Sequence, residues 1–104
     1  MAKYAFIYHG GATPETAEEG VAVMAAWGAW FADLGPALLD GGNAFGQSST
    51  VASDGSTSAG GGANPATGYS LVEADSLDAA LALAAGSPIR NAGGSIEVAE
   101  TIDM

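Results

Sequence analysis

The chain has 104 residues, 48% hydrophobic and 13% charged, the balance of one globular domain over residues 1–104 rather than of a disordered chain. Twelve acids against two bases, Lys3 and Arg90, give a formal charge of -10, which speaks against nucleic acid and against an anionic membrane surface as partners. Cysteine is absent, which excludes disulfides and thiolate chemistry, and the single histidine, His9, excludes a multi-histidine metal site within one chain, so neither metal nor cofactor is expected.

The first predicted element is a strand over Lys3–His9, stopped by Gly10-Gly11, with Tyr4, Phe6 and Tyr8 on one face and Ala5 and Ile7 on the other. Thr13-Pro14-Glu15 then reads as a helix start, with a hydroxyl cap, a proline in the first turn and an acid near the positive end of the dipole. The helix is expected to run from Pro14 to about Leu34 and to end at Gly35-Pro36. Val21, Val23, Met24, Trp27, Trp30, Phe31 and Leu34 spread over roughly half its circumference at 100° per residue. Docking on one sheet needs a stripe of only ~100°, so the helix has apolar surface left for a second partner.

Ala37–Asp40 is a short second strand ending at Gly41-Gly42. From about 41 to 67 the composition shifts to glycine, serine, threonine, asparagine and alanine, with a possible strand at Ser49–Ser53 and a hairpin signal at Asp54-Gly55. An insertion beyond ~15 residues is usually functional or disordered. Here it could be a lid, an arm against a second subunit, or a mobile loop.

Gly68–Ala74 resumes as a strand, and Asp75-Ser76 caps a second helix over Leu77–Ala85, with Gly86 suited to a left-handed position after it and Pro88 preventing continuation. Leu77, Ala80, Leu81 and Ala84 share the face expected to dock, while Leu83 lies off it. Gly94–Ile102 alternates as a last strand, with Ile96, Val98 and Ile102 on one face.

The order of elements is that of an α+β, ferredoxin-like βαββαβ subunit, with one mainly antiparallel sheet and two helices on one of its faces. The uncovered sheet face, bearing Tyr4, Phe6 and Tyr8 or their alternates, would be in water in a monomer, so a symmetric homodimer is expected.

The residues also carry a resemblance. Leu38-Leu39-Asp40-Gly41-Gly42-Asn43 resembles the D-G-P-F or D-G-G signature after the first helix of the YCII-related family. Gly68–Ala74 followed by Asp75-Ser76-Leu77-Asp78-Ala79-Ala80 is similar to that family's strand, acidic turn and helix start. The resemblance covers most of the chain, the insertion least. It implies a dimeric α/β barrel whose two ferredoxin-like subunits enclose a cleft. It also implies an acid-base pair of a first-helix histidine beside an aspartate, acting in some members on small chlorinated or hydroxylated ring-derived acids. This chain departs from that pattern: Met24 and Trp27 stand at the plausible histidine positions, and Asp33 is the residue that could match the aspartate.

Among the chain's own residues, His9 ends the first strand and its imidazole titrates near neutral pH, so with Asp40 at the end of the neighbouring strand an acid-base pair is conceivable. The alternative is a strand-end histidine and an aspartate that caps the Gly-Gly turn. Arg90 could hold a substrate carboxylate or pair with a surface acid. Tyr8, Trp27, Trp30 and Asn43 are candidate ligand-binding residues, the tryptophans alternatively filling the core or a dimer seam. Gly60-Gly61-Gly62 lacks the lysine and hydroxyl of a phosphate loop, and the acids show no EF-hand spacing.

Two functions are therefore expected as alternatives. One is binding or transformation of a small organic molecule in a cleft near a dimer interface. The other is a non-catalytic regulatory or interaction module that has lost the family's histidine. No apolar run approaches the ~18 residues of a membrane span and no secretory signal is present, so the expected location is the cytoplasm.

Overall fold

A computed structural model describes residues 1–104. Aromatic and branched residues at every second position form β1 (Ala2–His9), whose Tyr4, Phe6 and Tyr8 are buried and whose intervening side chains are half-buried or exposed. The chain then turns at Gly10-Gly11 and enters α1 (Ala17–Leu34). The helix begins three residues later than Thr13-Pro14 predicts. Thr16 is the cap, its hydroxyl accepting from the Glu19 N–H at 3.0 Å, because Thr16-Ala17-Glu18-Glu19 supplies the acid three residues on that Thr13 lacks. Glu19 Oε2 in turn accepts from the Glu15 N–H.

The helix stops at Gly35, φ 55°, and one 3-10 turn over Gly35–Ala37 takes up the residue expected to open the next strand. That strand, β2, is Leu38–Asp40. Within the insertion, β3 (Ser49–Val51) and β4 (Thr57–Ala59) form a separate two-stranded ribbon, all of it exposed, closed by the turn at Asp54-Gly55. Ala52 and Ser53, expected in the strand, belong to the turn instead, with the Ala52 N–H bonded to Ser56 O.

β5 (Ala66–Ala74) returns along the sheet, followed by α2 (Leu77–Ala84), capped by Ser76 as expected. Its docked face differs from the prediction. Ala80 and Ala84 are buried and Leu83 packs on the core, while Leu77 and Leu81 are about half exposed. The reason is Trp30, whose indole N–H donates to Leu83 O at 3.2 Å and draws the end of α2 against α1. Gly86 is accordingly not left-handed. It leaves room for the Trp30 ring, which a Cβ there would approach to 3.4 Å. A second 3-10 turn, Pro88–Arg90, inserts Ile89 into the core, and β6 (Ser95–Glu100) closes the sheet. Ile102 lies beyond the strand and is exposed, contrary to its predicted place beside Ile96 and Val98.

The four-stranded sheet is antiparallel, in the order β2-β5-β1-β6, with both helices packed on one face, an arrangement compatible with a ferredoxin-like fold. Under the helices, Phe6, Tyr8 and Val72 meet Trp30, Leu34, Ala80 and Ile89, with Phe6 and Trp30 stacked at 6.0 Å. Tyr4, Phe6 and Tyr8 thus occupy the covered face. It is their alternates, Ala5 and Ile7, with Leu71 and Tyr69 opposite them in register, that lie on the open face. Only the C-terminal half of α1 is docked. Val21 and Met24 in its N-terminal half are more than 70% exposed, so the apolar surplus read from the sequence stands free. No helix is long and apolar enough to cross a membrane.

Candidate functional site

An open cleft of about 940 Å³ lies at the end of β1, between the Gly10–Pro14 loop, the N-terminal half of α1, residues 41–45 and the Pro88–Ala92 segment. Each wall has a local cause. Gly10 and Gly11 adopt φ 68° and 93°, and a Cβ on Gly11 would come within 2.7 Å of Ile89 Cδ1, so this loop lies tight on the 3-10 turn behind it. The Ala12 N–H bonded to Ala92 O at 2.9 Å fastens the two.

On the opposite wall, Asp40 Oδ1 accepts from the Gly42 N–H at 2.8 Å and bends the chain out of β2. Gly42, φ 69°, crosses so close to β5 that a Cβ would meet Tyr69 O at 1.9 Å. Beyond it the Tyr69 N–H donates to Asn43 O and the Phe45 N–H to Thr67 O, which lays Phe45 on Tyr69 with ring centroids 5.8 Å apart.

The floor is aromatic. Trp27 stands edge-to-face on Tyr8 at 4.9 Å and on Phe31 at 5.8 Å. The Tyr8 hydroxyl turns away from the cleft and donates to Ser70 Oγ at 2.7 Å, and Ser70 donates to Gly41 O at 2.7 Å. Burial pushes the Tyr8 phenol up to about 12, with the Ser70 hydrogen bond opposing. Tyr8 therefore presents a neutral ring to the cleft.

Of the candidate site residues, Tyr8, Trp27 and Asn43 line this cleft and the others do not, and Met24, which with Trp27 stands at the plausible histidine positions, lines it as well. Trp30 is buried in the core beneath it. His9 is a neighbour in sequence only: its Nδ1 lies 3.0 Å from Asn64 O and its Nε2 3.0 Å from Glu97 Oε1. Both partners accept, so both ring nitrogens donate in the protonated form. The hydrogen bond to Glu97 raises the imidazole above its ordinary value, against partial desolvation and with help from the backbone carbonyls of Asn64 and Pro65. His9 so ties the base of the insertion to β1 and β6.

The conceivable His9–Asp40 pair is not formed. Asp40 is level with Leu71 and hence with Ala5, four residues before His9 on a strand two places away. At ~3.3 Å per residue and ~4.8 Å between strands, that offset is roughly 13 Å along the sheet and about 10 Å across it. Asp40 makes the turn instead. Asp33 is exposed on α1 and makes no hydrogen bond or ion pair. Arg90 points neither into the cleft nor at an acid: its guanidinium donates to Ala85 O, a cation answering the negative end of α2.

Sequence reasoning missed Phe45, Tyr69 and the Gly10–Pro14 loop as walls. Phe45 is the one aromatic residue between 41 and 67, and that isolation was the available signal. Comparison of the chain with family models, with curated proteins and with solved structures finds no match in any of the three.

Proposed function

We propose that the protein binds a compact organic molecule in the cleft over Tyr8 and Trp27. The observation that carries this reading is the cleft itself: about 940 Å³, within the size range of small-molecule sites, with Tyr8, Trp27, Phe31, Phe45 and Tyr69 in its walls. Binding without proton transfer is the form that the side chains favour. His9 is engaged elsewhere with both nitrogens, and the Tyr8 hydroxyl is spent on Ser70. Of the two readings drawn from the sequence this is the first, in its binding form, with no residue assigned to transformation of the ligand.

The same reading includes membership of the YCII-related family and a dimeric barrel, with two sheets paired through the open face that carries Ala5, Ile7, Leu71 and Tyr69. Its support is the residue pattern around Asp40-Gly41-Gly42 and the uncovered apolar file on the sheet. Because Tyr69 belongs to both the sheet and the cleft wall, the proposed ligand site would lie beside the dimer seam.

A fragment titration followed by amide and indole NMR shifts tests the site. The expected result is a saturable shift of the Trp27 indole N–H and of the Gly10–Ala12 amides, weakened about tenfold or more in Trp27→Ala. Shifts confined to other surfaces, or unaltered by that substitution, would remove the cleft as the binding site.

A further inference from the structure

We propose that the cleft selects an organic cation, an amine or quaternary ammonium carried on a compact aromatic or aliphatic body. The inference rests on the reading of the cleft as a ligand site and adds the charge of the ligand. Among all the side chains that line the cleft, Glu19 is the only ionised one. The chain's two basic side chains are not among them. Arg90 is bonded to Ala85 O, and Lys3 stands at the far end of β1, paired in register with Glu73. A carboxylate or phosphate entering here would find no counter-charge, in a molecule that carries a net charge of -10.

The first turn of α1 borders the cleft, with Glu19 in its lining, and a helix N-terminus by itself would favour an anion. That end is already answered. The Thr16 hydroxyl takes the Glu19 N–H, Glu18 and Glu19 sit in the first turn, and Glu19 also takes the Glu15 N–H. What remains for a ligand is one carboxylate at the mouth and an aromatic floor. Trp27 and Phe31 belong to that floor, and a cation held over the negative face of an aromatic ring gains most when it is partly desolvated. Three features thus agree in sign: the aromatic faces, Glu19 and the field of the whole chain. This departs from the ring-derived acids that the family resemblance implies.

The test uses three probes of similar size, benzyltrimethylammonium, benzyl alcohol and phenylacetate, titrated separately into the intact protein. Dissociation constants are read from the Trp27 indole N–H shift. The expected result is that the cation binds at least about tenfold more tightly than either other probe. Glu19→Gln, which keeps an oxygen able to accept from the Glu15 N–H, should reduce that advantage severalfold by weakening the cation more than benzyl alcohol. Raising the salt to about 0.5 M should shrink the advantage in the unaltered protein, an independent reading if the substitution disturbs the helix cap.

Equal affinity for cation and alcohol, or preference for phenylacetate, overturns the charge selection while the cleft stands. A cation that shifts only scattered acidic surface positions and leaves Trp27 unmoved overturns it as well. If no probe moves Trp27 or the Gly10–Ala12 amides, the cleft reading itself falls and the charge selection with it.

Discussion

Single residues decide the geometry of this cleft, and glycine does so where the backbone leaves no alternative. Gly42 combines φ 69° with a carbonyl that a Cβ would overlap at 1.9 Å, whereas Gly28 on α1 has nothing within 4 Å. Gly42→Ala should therefore cost on the order of 2 kcal/mol or more, and Gly28→Ala should stabilise by up to about 1 kcal/mol, as read by urea denaturation. His9 sets a second expectation at this scale. Its folded pKa is raised, chiefly by the hydrogen bond to Glu97, so the stability it contributes is fully present below an unfolded value near 6.5 and is lost as pH rises through the folded value. Thermal midpoints measured across that window should fall on the alkaline side. Glu97→Gln should flatten the dependence and return the His9 ring titration toward its ordinary value; an unchanged His9 titration in that variant would discard Glu97 as the cause. Residue identity made His9 and Asp40 look like partners in the sequence. Only the strand register, with Asp40 level with Ala5, shows why they are not.

Among the elements, the boundaries that glycine and proline punctuate were legible from the chain, and the choices between similar neighbours were not. The strand before Gly10-Gly11, the helix ending at Gly35 and the helix start at Ser76 all stand where local chemistry places them. Thr13 and Thr16 are both hydroxyls ahead of the first helix, and the contest between them turns on Glu19, whose N–H donates to the Thr16 hydroxyl and whose carboxylate accepts from the adjacent Glu15 N–H. Thr16→Ala is expected to cost about 1 kcal/mol and Thr13→Ala only a few tenths, a comparison open to thermal or chemical unfolding. Equal costs would contradict the observed helix start. Leucine choice in α2 was hidden for a different reason. Its docked face is fixed by Trp30, a residue 53 positions away from the Leu83 carbonyl it binds, and periodicity within an eight-residue helix carries no trace of such a contact. The aromatic walls of the cleft were half legible: Tyr8 and Trp27 announce themselves, while Phe45 and Tyr69 come together only through the pairing of residues 43–45 with β5.

For the whole molecule, the sheet has one covered face and one open face, and the charge is distributed unevenly along the sequence. From Gly20 to Ala32 there is no ionised residue, and from Gly41 to Val72 there is only Asp54. Light scattering at micromolar concentration should give about twice the 10.1 kDa chain mass if the open faces pair, and Ile7→Glu, which places a charge in the middle of that face, should shift the population to monomer. A monomer for the unaltered chain would end the barrel reading without touching the cleft. The ribbon of β3 and β4 has a separate consequence. Its strands pair only with each other in the ladder, its residues are exposed throughout, and at its tip Asp54 accepts from both the Ser56 N–H and its hydroxyl. The fold thus carries a display platform: a peptide or affinity tag grafted between Asp54 and Gly55 would disrupt only the turn's own hydrogen bonds and leave those of the four-stranded sheet and the helices in place.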